Sequence, residues 1–396
     1  MYSLLLVILY IALISLGLPD SLLGSAWPVM HGQLGVPVSY AGIVSMIIAG
    51  GTIVSSLMSD KLTRKLGPGL VTALSVLLTA VALFGFSMAN SFILLCLWAV
   101  PYGLGAGAVD AAINNYAALN YGSRHMSWLH CFWGVGAAAS PYIMGFCLTR
   151  GFGWHNGYRS VAAVQIVLTV ILFASLPLWK AKNPYKPEEN AVPPAALNLP
   201  QALKIPGVKF ILLTFFGYCA LETTSGLWAS SYLVQFRGLD SEAAANFASL
   251  FFLGITGGRF LCGFIADRLG DRRLIRIGIG TIFCGILLIA LPVSVNAPAL
   301  AGLVITGLGC APVYPSIIHS TPSNFGKENS PSIVGIQMAS AYMGSTFMPP
   351  LFGLIADNVS IGLYPAFLLF FAVLMLLMSE RLNAIVATKT AATGEA

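Results

Sequence analysis

Runs of twenty or more mostly apolar residues recur along the whole 396-residue chain, separated by short polar stretches. At bilayer depth an unpaired backbone N–H or C=O is costly and a span needs about 20 residues, so long, non-alternating apolar runs are read as membrane-crossing helices. Twelve are predicted, at about 2–30, 39–59, 68–89, 92–119, 126–149, 158–180, 207–236, 242–266, 273–293, 297–321, 330–356 and 362–382. With 57% hydrophobic residues, 9% charged and a mean hydropathy of +0.83, the chain is excluded from the water-soluble globules. The 41 glycines fit helices that approach one another closely.

Lys and Arg fall unevenly. The stretches after even-numbered spans, with the two termini, hold sixteen, the opposite side holds only Arg150, Arg159 and Arg237, and Arg259 is left inside a span. Basic residues favour the cytoplasmic side, so a multi-pass protein of the cell membrane with both termini cytoplasmic is expected. The net charge of +6 then reflects topology, and nucleic-acid binding is not implied. The first run has no basic leader and no small-residue cleavage site, so it is expected to be retained. The seven cysteines form no CxxC pair and the five histidines are scattered, so no disulfide framework, metal or cofactor is expected. P-loop, HExxH and GxSxG strings are absent, and no enzyme is expected.

Residues 181–206, proline-rich and charged with both signs, break the apolar pattern. They divide the chain into an expected six-helix bundle over 1–180, a cytoplasmic linker over 181–206, and a second bundle with a short tail over 207–396. The halves repeat. Asp60-Lys61 matches Asp267-Arg268 at an offset of 207, and Gly136, Pro141 and Gly145 match Gly344, Pro349 and Gly353 at 208. Gly103-Leu104-Gly105 likewise answers to Gly307-Leu308-Gly309, and Asp20, Gly24 and Trp27 to Glu222, Gly226 and Trp228. The expected fold is an all-α membrane protein of twelve transmembrane helices in two pseudo-symmetric six-helix bundles. Alternating-access carriers are built in this way, with a site where the repeats meet.

The string Gly263-Phe264-Ile265-Ala266-Asp267-Arg268-Leu269-Gly270-Asp271-Arg272-Arg273, read as the loop after the eighth span, resembles the GxLADRxGRK signature of the major facilitator superfamily. The earlier copy over 56–65 keeps the acid and the basic residues but has Ser56 and Thr63 where that family has Gly. An acid at a helix end beside basic residues can hold a neighbouring helix in one conformer and release it in the other. Asp60, Arg64, Arg259, Asp267 and Arg268 are therefore candidate gate residues, with Arg259 equally readable as a buried brace.

Acids inside apolar spans are expensive and mark ion or substrate pathways. Asp20, Asp110 and Glu222 are three such acids. Gly103, Gly107, Asp110 and Asn114 recur at helical spacing and share one face. Pro19 precedes Asp20 and is expected to bend the first span there. Asp20 and Asp110 are candidate proton-coupling residues, each able to bind a proton on one side and lose it on the other. A polar solute needs amides and carboxylates for its hydroxyls and an aromatic face for its C–H surface. Asn114, Asn115, His130, Glu222, Tyr314, Gln337, Trp27 and Trp228 are the candidates for these roles, with His319 in reserve. Trp27 and Trp228 are equally readable as interfacial belt residues, and His130 and His319 as side chains bonded to a carbonyl.

The strings over 105–116 and 129–137, with Pro312-Val313-Tyr314-Pro315, resemble the fucose permease branch of that superfamily. Acids on the first and fourth spans of that branch are linked to proton-coupled sugar uptake, which the resemblance carries onto Asp20 and Asp110. That branch has a longer Glu at the position of Asp110 and a Gln at that of His130, so its sugar is not carried over. A secondary transporter is expected, moving a sugar or similar small polar solute by proton symport, with sodium open as the coupling ion and a monomer in the bilayer. A proton-coupled exporter of amphipathic compounds and a transport-inactive sensor or scaffold remain as alternatives.

Overall fold

The computed structural model describes residues 2–37, 40–180, 196–239, 241–293 and 295–393. Among them all regular structure is helical. The helices are α1 (Tyr2–Gly17), α2 (Leu22–Gln33), α3 (Tyr40–Leu66), α4 (Pro68–Met88), α5 (Phe92–Asn120), α6 (Ser123–Thr149), α7 (Gly153–Ala174) and α8 (Leu176–Lys180). They continue with α9 (Leu199–Ala202), α10 (Val208–Gln235), α11 (Ser241–Leu269), α12 (Asp271–Ala290), α13 (Ala297–His319), α14 (Thr321–Phe325), α15 (Ser330–Asn358) and α16 (Tyr364–Thr393). Eleven stretches are long and apolar enough to cross a membrane, with α1 and α2 falling in one of them, Leu4–Trp27. The remaining long helix, α15, is diluted by buried Ser330, Ser332 and Gln337 and by Pro349 and Pro350. At 1.5 Å per residue its length is about 43 Å, ample for a hydrocarbon core of about 30 Å. The architecture is thus the expected one of twelve membrane helices.

Three expectations about local structure are corrected. The first predicted span is two helices, because Pro19 supplies no N–H and the chain turns over Leu18–Ser21, with Asp20 N–H bonded to the Gly17 carbonyl and Leu22 N–H to that of Pro19. The basic stretch after the second span is not a loop: α3 continues through Asp60 and Arg64 to Leu66 and stops at Gly67, whose φ is +83°. The signature string after the eighth span is likewise helical, with only Gly270 (φ +74°) between α11 and α12. Basic side chains in a last turn suit the helix dipole, so the charge cluster extends a helix end instead of interrupting it. Of the predicted linker, residues 181–195 lie outside the described residues. Beyond them Leu197 N–H donates to Ser332 Oγ at 2.9 Å, and Asn198 and Gln201 cap α9 reciprocally at 3.0 and 2.9 Å.

The chain divides into two compact units, one of Met1–Leu119 with Leu129–Ala196 and the other of Asn120–Trp128 with Leu197–Ala396. In the first, Gln165 of α7 ties three helices together. It donates to the Ser15 carbonyl, accepts from Ser15 Oγ at 2.9 Å, and accepts from Thr79 Oγ1 at 3.4 Å. Ser55, Ser56 and Ser59 of α3 donate to carbonyls of α5 at Gly103, Gly107 and Ala108, and such contacts form only where small residues let backbones touch. A Cβ on Gly136 would overlap the Ile14 carbonyl, and one on Gly103 that of Ile48. In the second unit a Cβ on Gly344 would overlap the Phe216 carbonyl, and one on Gly307 that of Phe251. The repeated glycines therefore mark equivalent helix crossings, α1 with α6 and α10 with α15, then α3 with α5 and α11 with α13.

Candidate functional site

The break between α1 and α2 presents Asp20 as an exposed side chain in the middle of an otherwise apolar stretch. Its carboxylate accepts from Tyr102 Oη of α5 at 3.2 Å and from Trp133 Nε1 of α6 at 3.0 Å. Both donors are neutral. Their hydrogen bonds orient the acid without fixing its charge.

One face of α5 supplies a second constellation. Asp110, Asn114, Asn115 and, from α6, His130 are all buried. Asn114 Nδ2 donates to Asp110 Oδ1 at 2.7 Å, and Asn114 Oδ1 lies 3.0 Å from His130 Nε2. The amide fixes the tautomer, because its nitrogen is committed to the carboxylate and its oxygen can only accept; His130 Nε2 must carry the proton between them. Asp110, Asn114 and His130 thus form a directional chain in which a change of charge at one end is felt at the other. Asn115 is the next residue along and just as enclosed.

In the second unit Glu222 of α10 lies 3.6 Å from Arg259 Nη2 of α11. That nitrogen is also 3.4 Å from Tyr218 Oη, and the guanidinium carbon stands 6.0 Å from the centre of the Tyr314 ring. Tyr314 packs on Phe215 and Tyr218 and its hydroxyl reaches Met338 Sδ at 3.4 Å. Arg259 is 4% exposed. It sits with Glu222 and the tyrosines, apart from the charges at the helix ends with which it was grouped as a gate residue. Gln337 is fully buried and accepts from Thr321 Oγ1 at 3.0 Å.

The two nominated tryptophans are packing residues. Trp27 lies inside the hydrophobic core of its unit with Leu22, Met30 and Trp154. Trp228 donates to the Pro349 carbonyl at 2.9 Å and lies edge-on to Phe352, clamping α10 to the proline pair of α15. Among the helix-end charges, Asp60 is buried and bonded to Arg64 of its own helix at 2.7 Å. Asp267 instead takes Arg124, through its backbone N–H at 3.0 Å and its guanidinium at 2.8 Å. Arg268 is exposed. Among the described residues no three His, Cys, Asp or Glu side chains gather as a metal site would require.

Tyr102, Trp133 and Arg124 were not singled out from the sequence. Trp133 follows His130 by three residues and Tyr102 precedes Asp110 by eight, so helical spacing places each on the face of a residue that was nominated. Arg124 meets an acid 143 positions away, and no local pattern announces that pair.

The model describing the Major Facilitator Superfamily matches residues 9–301 and again 211–388. The glucose/mannose transporter GlcP of Bacillus subtilis is 24% identical over 313 residues, covering 76% of this chain and 75% of that protein. The cis,cis-muconate transport protein of Acinetobacter baylyi is 25% identical over 346 residues, covering 82% and 80%. Among solved structures, FucP in the outward conformation superposes with a TM-score of 0.78 at 14% identity, over 95% of this chain and 98% of that one. FucP is named as the fucose:proton symporter of E. coli. That likeness is one of fold.

Proposed function

The chain belongs to the Major Facilitator Superfamily and is a multi-pass membrane transporter rather than an enzyme, and from that premise we propose that it moves a sugar or similar small polar solute together with protons by alternating access. The observation that carries the reading is the buried chain Asp110, Asn114, His130, together with Asp20 held by neutral donors at a helix break. Asp20 and Asp110 are the proton-coupling residues in this reading. Asp20 accepts from two neutral donors and Asp110 from an amide. Asn114, Asn115 and His130 in the first half, and Glu222 and Tyr314 in the second, supply donors and acceptors to the solute. Asp60 with Arg64 and Asp267 with Arg268 serve as gate residues at the helix ends. The halves 1–180 and 207–396 are the moving parts, in the cell membrane with both termini cytoplasmic. GlcP, named for glucose and mannose, supports a sugar as the cargo.

A second reading is favoured by one observation. Arg259 is a buried cation that stands 3.6 Å from Glu222. A solute carboxylate can replace Glu222 there through a bidentate bond, the geometry that arginine favours. The relative named for cis,cis-muconate supports an organic acid in the same way.

Purified protein in proteoliposomes, given a panel of sugars and organic acids under an imposed pH gradient, tests both. Asp20→Asn and Asp110→Asn are expected to abolish gradient-driven accumulation of the accepted solute while exchange without a gradient survives in at least one of them. Accumulation at the parent level in both variants removes the proposed coupling role. Uptake of acids alone decides for the second reading.

A further inference from the structure

The chain leaves the first unit at Leu119 and re-enters it at Leu129, and the segment between, Asn120–Trp128, belongs to the second unit. Side chains from three helices hold it. Asp267 of α11 accepts from Arg124, and Trp128 Nε1 donates to the Phe260 carbonyl at 3.3 Å, with its ring edge-on to Phe264. Ser123 Oγ donates to Asp271 Oδ1 of α12 at 2.8 Å. His319, at the end of α13, bridges the remaining two groups: Nδ1 is 2.7 Å from Asp271 Oδ2, and Nε2 is 3.0 Å from the Tyr121 carbonyl oxygen.

The protonation of this bridge follows from its partners. A carbonyl only accepts, so Nε2 carries a hydrogen. A neutral imidazole then has a bare lone pair at Nδ1, which would face a carboxylate oxygen at hydrogen-bond distance and repel it. A second proton must lie between Nδ1 and Oδ2, whichever of the two atoms formally owns it. We propose that this shared proton is a latch: while it is present His319 fastens the crossing segment to α12 and α13, and its loss on the alkaline side releases the segment. Because the segment runs from the end of α5 into the first turns of α6, the helices that carry Asp110 and His130, the latch makes the state of those helices answer to the proton concentration at this end of the molecule.

The groups facing the pair are few. Asp271 and the Tyr121 carbonyl touch the ring directly, and Ser123 occupies the other carboxylate oxygen. Asp267 and Arg124 stand beside it as an ion pair. His125 is the histidine within the segment itself, with its ring against those of Tyr121 and Trp128 at 5.9 and 5.8 Å.

Hydrogen–deuterium exchange of the full-length protein in lipid nanodiscs, at about pH 6 and about pH 8.5 on either side of the ordinary imidazole value, tests the latch. After correction for the intrinsic rate, amides of residues 120–128 are expected to exchange roughly ten-fold faster at the higher pH, as the loss of one charge-assisted hydrogen bond implies. His319→Gln and Asp271→Asn are expected to erase that ratio, whereas His125→Gln keeps it. A ratio near one in the parent overturns the proposal, as does a parent-like ratio in His319→Gln. Loss of the ratio in His125→Gln alone moves the switch to that residue and overturns it equally. Should the His319 and Asp271 variants fail to fold, the parent's ratio set beside that of His125→Gln still decides.

Discussion

Asp20 and Glu222 occupy matching places in the two units and live in opposite company. They stand 202 positions apart, as do Ile14 and Phe216, whose carbonyls receive the repeated glycines Gly136 and Gly344. Yet Asp20 is exposed and held by a phenol and an indole, whereas Glu222 faces a buried guanidinium. The first acid can gain or lose a proton and keep partners on both oxygens. The second stands beside a buried cation, and taking a partner from a buried charge is costly. One scaffold, duplicated, thus sets one carboxyl among neutral donors and the other beside a cation.

The largest effect expected from breaking this contrast is on stability. Arg259→Met takes the cation from partly buried Glu222 and is expected to cost about 3 kcal/mol, the low end of the range for breaking a buried pair. The double variant with Glu222→Gln should recover most of that loss. Asp20→Asn, which keeps an acceptor for one donor, should stay within about 1 kcal/mol of the parent. Unfolding in detergent measures all three. If Asp20→Asn falls as far as Arg259→Met, the two acids are not differently held.

Much of this was legible in the residues and some was not, for identifiable reasons. The twelve apolar runs are all helical, the first of them as two helices, because in a bilayer backbone satisfaction leaves little choice. Pro19 announced a bend, but the full interruption between Gly17 and Leu22 depends on α5 and α6 supplying donors to the freed Asp20. Asp110 and Asn114 were visible as neighbours four apart, and His130 was nominated from the adjoining span. The helical character of the two signature copies was hidden, since clustered charge reads as loop until a glycine with positive φ shows where the helix ends. Arg259 was grouped with the gate by its nearness in sequence to Asp267. Its actual partner lies on another helix and could be found only in three dimensions.

A middling effect sharpens the duplication itself. Gly136→Ala and Gly344→Ala each place a methyl group on a backbone carbonyl of the opposing helix, where neither backbone can retreat cheaply. Each is expected to lose about 1–3 kcal/mol, the range for overpacking a tight interior. Similar losses in the two variants, read from the same unfolding curves, would show that the crossings are energetically equivalent. A loss confined to one would mean that the repeat in sequence has outlived the repeat in packing.

The smallest expected effect isolates the neutral donors. Trp133→Phe keeps the aromatic bulk on α6 and removes only the N–H that meets Asp20 Oδ2 at 3.0 Å. The loss should be about 1 kcal/mol, the net worth of an ordinary hydrogen bond. Transport should respond differently. Removing one of the two donors loosens the acid proposed to couple transport, so the pH dependence of gradient-driven uptake should change. A profile in Trp133→Phe that coincides with the parent's would separate the donor from the titrating acid and leave Tyr102, at 3.2 Å on the other oxygen, as the partner that matters.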